Sequence, residues 1–279
     1  MSYIIDLYTQ GNSALKISKQ ENIPVHQIYK ILEKNNIPRR SNRINNKKYS
    51  CNEDYFDNIN TSEKAYWLGF LYADGFVSKN EKFYNRGSLG ISLAIEDKEH
   101  LETLNKDLNS NYPINIYSVV NGYKIGIQYA RIIIKSEKIF NDLIDKGLIE
   151  RKSEIKKRPK EIPEELIKYF ILGYFDGNGC ISIHRRKNND KLDFKFRITS
   201  TDDVLYFITD YLYNNKLIYN KRKLDKRHIY DIVSNLEYGG NRQVYKIMHH
   251  LYQNTPRFLK RKHERYLILK NQLMKEGEI

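Results

Sequence analysis

The stretch Ala65-Tyr66-Trp67-Leu68-Gly69-Phe70-Leu71-Tyr72-Ala73-Asp74-Gly75 returns in altered form, 104 residues later, as Tyr169-Phe170-Ile171-Leu172-Gly173-Tyr174-Phe175-Asp176-Gly177-Asn178-Gly179. Both copies are apolar and aromatic, hold a glycine inside a helical pattern, and end in Asp or Asn before a glycine. Both run into strand-like residues, Phe76-Val77-Ser78 and Cys180-Ile181-Ser182-Ile183. A glycine inside a helix costs about 1 kcal/mol relative to alanine, so Gly69 and Gly173 must permit something. Close approach of two helix backbones is the natural candidate. Two such copies predict two similar halves, with Asp74 and Asn178 brought to a shared centre.

The same displacement carries Leu101 to Leu205, Leu104 to Ile208 and Leu108 to Leu212. These residues belong to helices announced by Glu96-Asp97-Lys98-Glu99 and Ser200-Thr201-Asp202-Asp203, which suit N-terminal caps with acids in the first turn. The first motif helix is expected to start near Thr61-Ser62-Glu63 and the second at Pro163-Glu164-Glu165. In each half the motif helix leads to strands near 76–79 and 88–95 (180–186 and 193–199 in the second half). A helix, strands near 114–119 and 123–129 (217–222 and 228–236), and another helix then follow. Paired strands between helices, without βαβ alternation, argue an α+β fold with antiparallel sheets.

At 279 residues the chain has room for about two domains, and its composition, 40% hydrophobic and 29% charged, is globular. It has no apolar run long enough to cross a bilayer, so a soluble, cytoplasmic protein is expected. Cys51 and Cys180 form no metal-type pair and read as reduced thiols. A formal charge of +14, with 23 tyrosines among the lysines and arginines, favours a nucleic-acid partner. A solvated basic surface in a sequence rich in Lys and Asn would give the same charge.

Before the repeat, residues 2–9 have helical apolar spacing and stop at Gly11. A second helix begins at Ser13 with Leu15 and Ile17 expected inward, and Asn22-Ile23-Pro24 breaks it. Val25, Ile28, Tyr29, Ile31 and Leu32 mark one face of a third helix, Val25–Lys34. Three short helices with a tight second turn suit a helix-turn-helix over 1–40, with His26, Gln27 and Lys30 directed at base edges. A basic linker at 41–60 follows. Arg39, Arg40 and Arg43, with no acid between them, suit phosphates or a narrow minor groove. A packing module with a solvated linker is the competing reading.

The paired motifs resemble those of the LAGLIDADG homing endonucleases in their single-chain, two-motif form, over roughly residues 61–270. That resemblance implies two pseudo-symmetric αββαββα halves, 61–155 and 156–279, with curved antiparallel sheets, preceded by the small all-α module. It implies a monomer that binds long, nearly asymmetric sites in double-stranded DNA and hydrolyses phosphodiesters with magnesium (Mg2+). Asp74 and Asn178 would be the catalytic and metal-binding positions, Gly69 and Gly173 the helix interface, and Lys152 and Lys262 the basic groups near the scissile phosphates. DNA-contacting side chains would come from the strands: Arg86, Ser88, Ser92, Lys124, Gln128, Arg185, Lys195, Arg197, Lys223 and Tyr230. The amino-terminal module resembles accessory modules of phage and bacterial members.

Asn178 departs from the family pattern. It stands where the second acid is expected, while Asp176 aligns with Tyr72, an earlier motif position. An amide keeps an acceptor oxygen and loses the charge, so nicking or impaired cleavage is expected. A non-catalytic DNA-binding regulator and an intron RNA maturase are the alternatives. The seven histidines are scattered, and His249-His250 lacks partners at metal-ligand spacing.

Overall fold

Gly69 and Gly173 sit where two helices touch backbone to backbone. A β-carbon on Gly69 would lie 1.9 Å from the Phe170 carbonyl oxygen, and one on Gly173 would lie 1.9 Å from that of Tyr66. A computed structural model describes residues 2–39, 48–80, 86–120, 125–150, 157–187, 191–226 and 231–279. The chain divides into two units, Met1–Ser50 and Cys51–Ile279.

The first unit holds helices α1 (Ser2–Thr9), α2 (Ala14–Glu21) and α3 (Val25–Lys34). Ile4, Tyr8, Ala14, Ile17, Ile28 and Leu32 form its core. The Ser13 hydroxyl caps α2 by accepting from the Lys16 amide, and Asn22 ends it in the left-handed region at φ 52°. Leu15, expected inward, is 60% exposed, because Ala14 and Ile17 take the inner positions.

The second unit is built around α4 (Ser62–Ala73) and α7 (Ile167–Asn178), the motif helices. Thr61 caps α4 by accepting from the Lys64 amide, and Ala65 through Ala73 are all buried. A helix apolar on every side is a core helix. A 3-10 turn, Glu164–Leu166, leads from Pro163 into α7. Each motif helix runs directly into a strand, β1 (Gly75–Asn80) and β5 (Gly179–Arg185).

The first half continues with β2 (Arg86–Ala94), a 3-10 turn at Ile95–Asp97, α5 (Lys98–Asp107), β3 (Ile114–Ser118), β4 (Gln128–Lys135) and α6 (Glu137–Asp145). Its strands form an antiparallel sheet in the order β1-β2-β4-β3. The second half continues with β6 (Leu192–Ser200), α8 (Asp202–Asn214), β7 (Ser234–Gly239), α9 (Asn241–Tyr252) and α10 (Lys260–Lys275), with sheet order β5-β6-β7. Leu101, Leu104 and Leu108, and likewise Leu205, Ile208 and Leu212, are fully buried.

Several boundaries differ from the sequence reading. β4 begins at Gln128, because residues expected to open it lie in the β3–β4 connection, where Gly126 has φ +84° and bonds back to Val119. Among the described residues, 217–222 form no strand. The Leu217 amide closes the end of α8 on the Leu212 carbonyl, and what remains of a fourth strand is the isolated bridge Asp225–Asn235 on the outer edge of β7. β7 starts at Ser234, later than expected. Part of the expected linker packs into the second unit: Phe56 is fully buried, and the Asn52 amide bonds the Leu108 carbonyl at 2.7 Å.

The single displacement of 104 also fails between the motifs and the following helices. Gly75 faces Ile91 whereas Gly179 faces Ile198, so the second strands correspond at a shift of 107. The first half restores the count with its three-residue turn Ile95–Asp97 before α5. The acids expected to cap these helices are engaged elsewhere, and neither N-cap makes a side-chain capping bond: the Asp97 carboxylate accepts from Arg261 at 2.9 Å, and Asp202 from Ser234 at 2.5 Å.

Because the Cβ of Gly173→Ala would meet backbone, the helices must separate. Urea denaturation is expected to show a loss of about 3 kcal/mol or more, and a loss below about 1 kcal/mol would contradict the contact.

Candidate nucleic-acid interface and catalytic centre

Close packing of α4 and α7 persists to their C-terminal ends. A β-carbon on Gly177 would lie 2.2 Å from the Ala73 Cβ and 3.4 Å from the Asp74 carboxylate carbon. Asp74 caps α4 and is exposed. Asn178, the last residue of α7, is half-buried and donates its amide nitrogen to the Tyr174 hydroxyl at 3.3 Å. That hydroxyl lies 2.6 Å from the Ser200 hydroxyl. The bond uses the nitrogen of Asn178 and leaves its oxygen, the end a cation would meet, outside it. Two helix C-termini and one carboxylate make this a place of negative potential.

Asp176 and Lys262 lie behind it. The Asp176 carboxylate is 1% exposed and accepts from the Leu259 amide at 2.7 Å, the Tyr66 hydroxyl at 2.8 Å and the Tyr252 hydroxyl at 3.5 Å. The Lys262 ammonium is buried and donates to the carbonyls of Phe175 (2.8 Å), Asp176 (2.6 Å) and Gly179 (2.6 Å), with Gly177 at 3.4 Å. It therefore caps the end of α7 from another helix. Burial pushes Asp176 up to about 6 despite Lys262 and its hydrogen bonds. Burial likewise pulls Lys262 down to about 8 against the attraction of Asp176. On both sides desolvation outweighs the pairing.

Tyr66 links this pair to His100, whose Nε2 lies 3.0 Å from the Tyr66 hydroxyl. Burial, followed by the charge of Arg257, pulls His100 down to about 3, so the folded chain keeps it neutral. Nearby, Asp107 accepts from Arg257 at 2.6 Å and from the Trp67 indole at 2.6 Å, tying the end of the second half to the first.

Each sheet has one face on the helices and one open. Val77, Leu89, Ile91, Leu93, Ala130, Ile132 and Ile134 cover the inner face of the first sheet. Register then assigns Ser78, Ser88, Ser92, Asn115, Tyr117, Tyr129, Arg131 and Lys135 to its open face. Arg131 donates to the Ser92 hydroxyl at 2.6 Å and lies 5.4 Å over the Tyr117 ring. In the second sheet Ile181, Phe194, Phe196, Ile198, Leu236 and Tyr238 face inward. Cys180, Ser182, His184, Asp193, Lys195, Arg197, Thr199, Asn235 and Glu237 share the open face.

Of the strand candidates, Ser88, Ser92, Lys195 and Arg197 stand on open faces. Two candidates do not: Gln128 and Arg185 share the register of the inward residues and are exposed at strand ends. Lys223 is exposed in the loop beside Arg197. In the first unit His26, Gln27 and Lys30 are exposed on α3, and the Arg39 guanidinium lies 4.6 Å over the Tyr29 ring. Arg40, Arg43, Lys124, Lys152 and Tyr230, and the side chain of Arg86, lie outside the described residues. His249 and His250 make packing bonds to the Tyr266 and Tyr211 hydroxyls. Cys51 and Cys180 form no disulfide among the described residues.

Sequence reasoning missed Asp176 as a buried acceptor, and the open-face residues Arg131, Tyr117, His184 and Glu237. Strict alternation from one known register pair would have found the latter.

This arrangement matches solved structures. The LAGLIDADG homing endonuclease I-GzeII in complex with DNA target superimposes with a TM-score of 0.52 at 10% identity, covering 76% of this chain and 91% of that one. The chain has the LAGLIDADG homing endonuclease fold. Meganuclease I-SmaMI bound to uncleaveable DNA gives 0.52 at 11% identity, covering 76% and 90%. LAGLIDADG meganuclease I-CpaMI bound to uncleaved DNA gives 0.50 at 14% identity, covering 77% and 92%. No protein-family model and no curated protein matches the sequence. Among the described residues no helix is long and apolar enough to cross a membrane.

Two outcomes follow from the buried groups of this LAGLIDADG fold. Each charge is held by its own buried hydrogen bonds and attracts the other beyond ion-pair distance, so Asp176→Asn and Lys262→Met should each cost about 1–3 kcal/mol. Asp176→Asn/Lys262→Met should cost clearly less than their sum; additive losses in urea titration would contradict the pairing. Unfolding lets His100 take up a proton that the fold refuses, so its contribution is intact above about pH 6.5 and declines toward pH 3. His100→Asn should flatten that part of the stability–pH curve; an unchanged acid limb would contradict it.

Proposed function

We propose that the chain binds a long, nearly asymmetric site in double-stranded DNA and hydrolyses phosphodiesters there as a monomer with magnesium, cutting one strand in preference. The observation that carries the reading is the end of the helix pair. An exposed carboxylate, Asp74, is held against the partner helix beside an amide, Asn178, and the chain around them carries a net charge of +14.

No group of three or more His, Cys, Asp or Glu forms a closed metal cage among the described residues. The donors at the helix ends, one carboxylate and one amide oxygen, fit a magnesium ion that is completed by phosphate oxygens and water, the usual arrangement at phosphate-processing sites. Bound there, magnesium supplies neutralisation of phosphate charge and a more acidic water. Asp74 would hold it with full charge, and Asn178 with a neutral oxygen. That difference supports unequal cleavage of the two strands. Lys262 acts as a positioning residue, since its ammonium is engaged by the carbonyls that end α7. The open faces of the two sheets supply side chains for the major groove, and α3 of the amino-terminal unit adds a helix-turn-helix contact through His26, Gln27 and Lys30.

Asn178 itself favours a second reading, a DNA-binding regulator without cleavage. A supercoiled plasmid carrying the selected site separates the two. The unmodified chain with magnesium is expected to give nicked circles before linear product. Asn178→Asp should raise linear product, and Asp74→Asn should lower nicking at least ~10²-fold. Efficient linearisation by the unmodified chain would reject the strand bias, and no magnesium-dependent cut would favour the regulator.

A further inference from the structure

On the open face of the second sheet, Glu237 of β7 lies directly across from Arg197 of β6, with Lys195 two residues along. Its carboxylate accepts from Lys195 Nζ at 2.8 Å and from both Nε and Nη2 of Arg197, the Nε bond at 2.8 Å. Hydrogen bonds from Lys195, opposed by burial, and from Arg197 keep Glu237 below the usual carboxylate range and therefore charged. A negative charge on the edge strand, beside Lys195 and Arg197, weakens attraction to phosphates, so a surface built only for affinity would lack it. The first sheet does lack it. Among its described open-face residues there is no carboxylate, and Arg131 is steadied by a serine hydroxyl and a tyrosine ring.

The geometry points to a specificity-determining role for Glu237: it fixes Arg197, with Lys195 beside it, as a donor array for a guanine in the half-site read by the second sheet. This inference rests on the DNA reading above. Glu237 occupies the side-on edge of the guanidinium, Nε and Nη2. That leaves the end-on pair, Nη1 and Nη2, which matches guanine O6 and N7. Arg197 and Lys195 keep 47% and 44% of their side-chain surface exposed, while Glu237 keeps 26%. The carboxylate is thus recessed and the donors stand forward. The adjoining cleft, about 370 Å³, is lined by Arg197, Arg222, Lys223, Asp225, Asn235 and Glu237. Both signs of charge and an amide converge there, as discrimination requires and phosphate attraction does not. Freed from Glu237, both cations could swing to phosphates, and binding would gain strength while losing selectivity.

The test is selection from a randomised duplex library in calcium, using the unmodified chain, Glu237→Gln and Arg197→Gln, with thermal melting to confirm that both variants fold. The unmodified chain should select a guanine on one side of its site. Glu237→Gln should weaken that preference ~10-fold. It should also bind an unrelated duplex more tightly, with a slope of log affinity against log salt steeper by about one. Arg197→Gln should lose the same guanine without tightening. If Glu237→Gln keeps both the guanine preference and the salt slope, the inference is overturned while the DNA reading stands. If the unmodified chain binds no duplex at low salt, the DNA reading falls and this inference with it.

Discussion

Two missing methyl groups set the geometry of the second unit. With hydrogen at the α-carbons of Gly69 and Gly173, each motif helix lays its backbone against a carbonyl of the other, and the contact is reciprocal. Gly177 continues it against Ala73, so the helices are still touching where they end. Everything of chemical interest depends on that. Asp74 is held against the end of the helix that carries Asn178 because the two helices cannot drift apart, and a strand begins directly at each helix end, at Gly75 and Gly179.

Polar groups buried around this crossing keep the halves in one arrangement. Asp176 gathers a backbone amide and two tyrosine hydroxyls, and Lys262 gathers carbonyls from the last turn of α7. Burial opposes both charges, so the pair contributes less through attraction than through the cost of removing either partner. Arg257 and Arg261 reach back from the second half to Asp107 and Asp97 of the first. The centre is therefore tied on both sides, leaving its exposed end to the carboxylate and the amide.

The motif, its glycines and the paired ends were legible in the sequence because each carries a local signal that repeats. A glycine where a helix should not have one, twice at the same place, marks a close backbone contact. Less was legible where the signal is distributed. The shift of 107 between second strands is hidden because a three-residue turn restores the count before α5. The fourth strand of the second sheet was expected because the two halves read alike, yet Leu217 and Ile218 are buried without one. Strand parity separated true open-face residues such as Arg197 from strand-end residues such as Gln128 and Arg185, and parity needs a register that local pattern does not provide. Lys262 drew notice as the basic group that the resemblance sets near a scissile phosphate, but its neighbours are carbonyls that only the folded chain assembles.

A crystal structure of the chain with a selected duplex and calcium tests the central idea most directly. The account predicts a phosphate of each strand beside the joined ends of the motif helices, with a cation about 2.3–2.6 Å from an Asp74 oxygen and a phosphate oxygen. A duplex seated elsewhere on the protein, or motif ends turned away from its backbone, would contradict it.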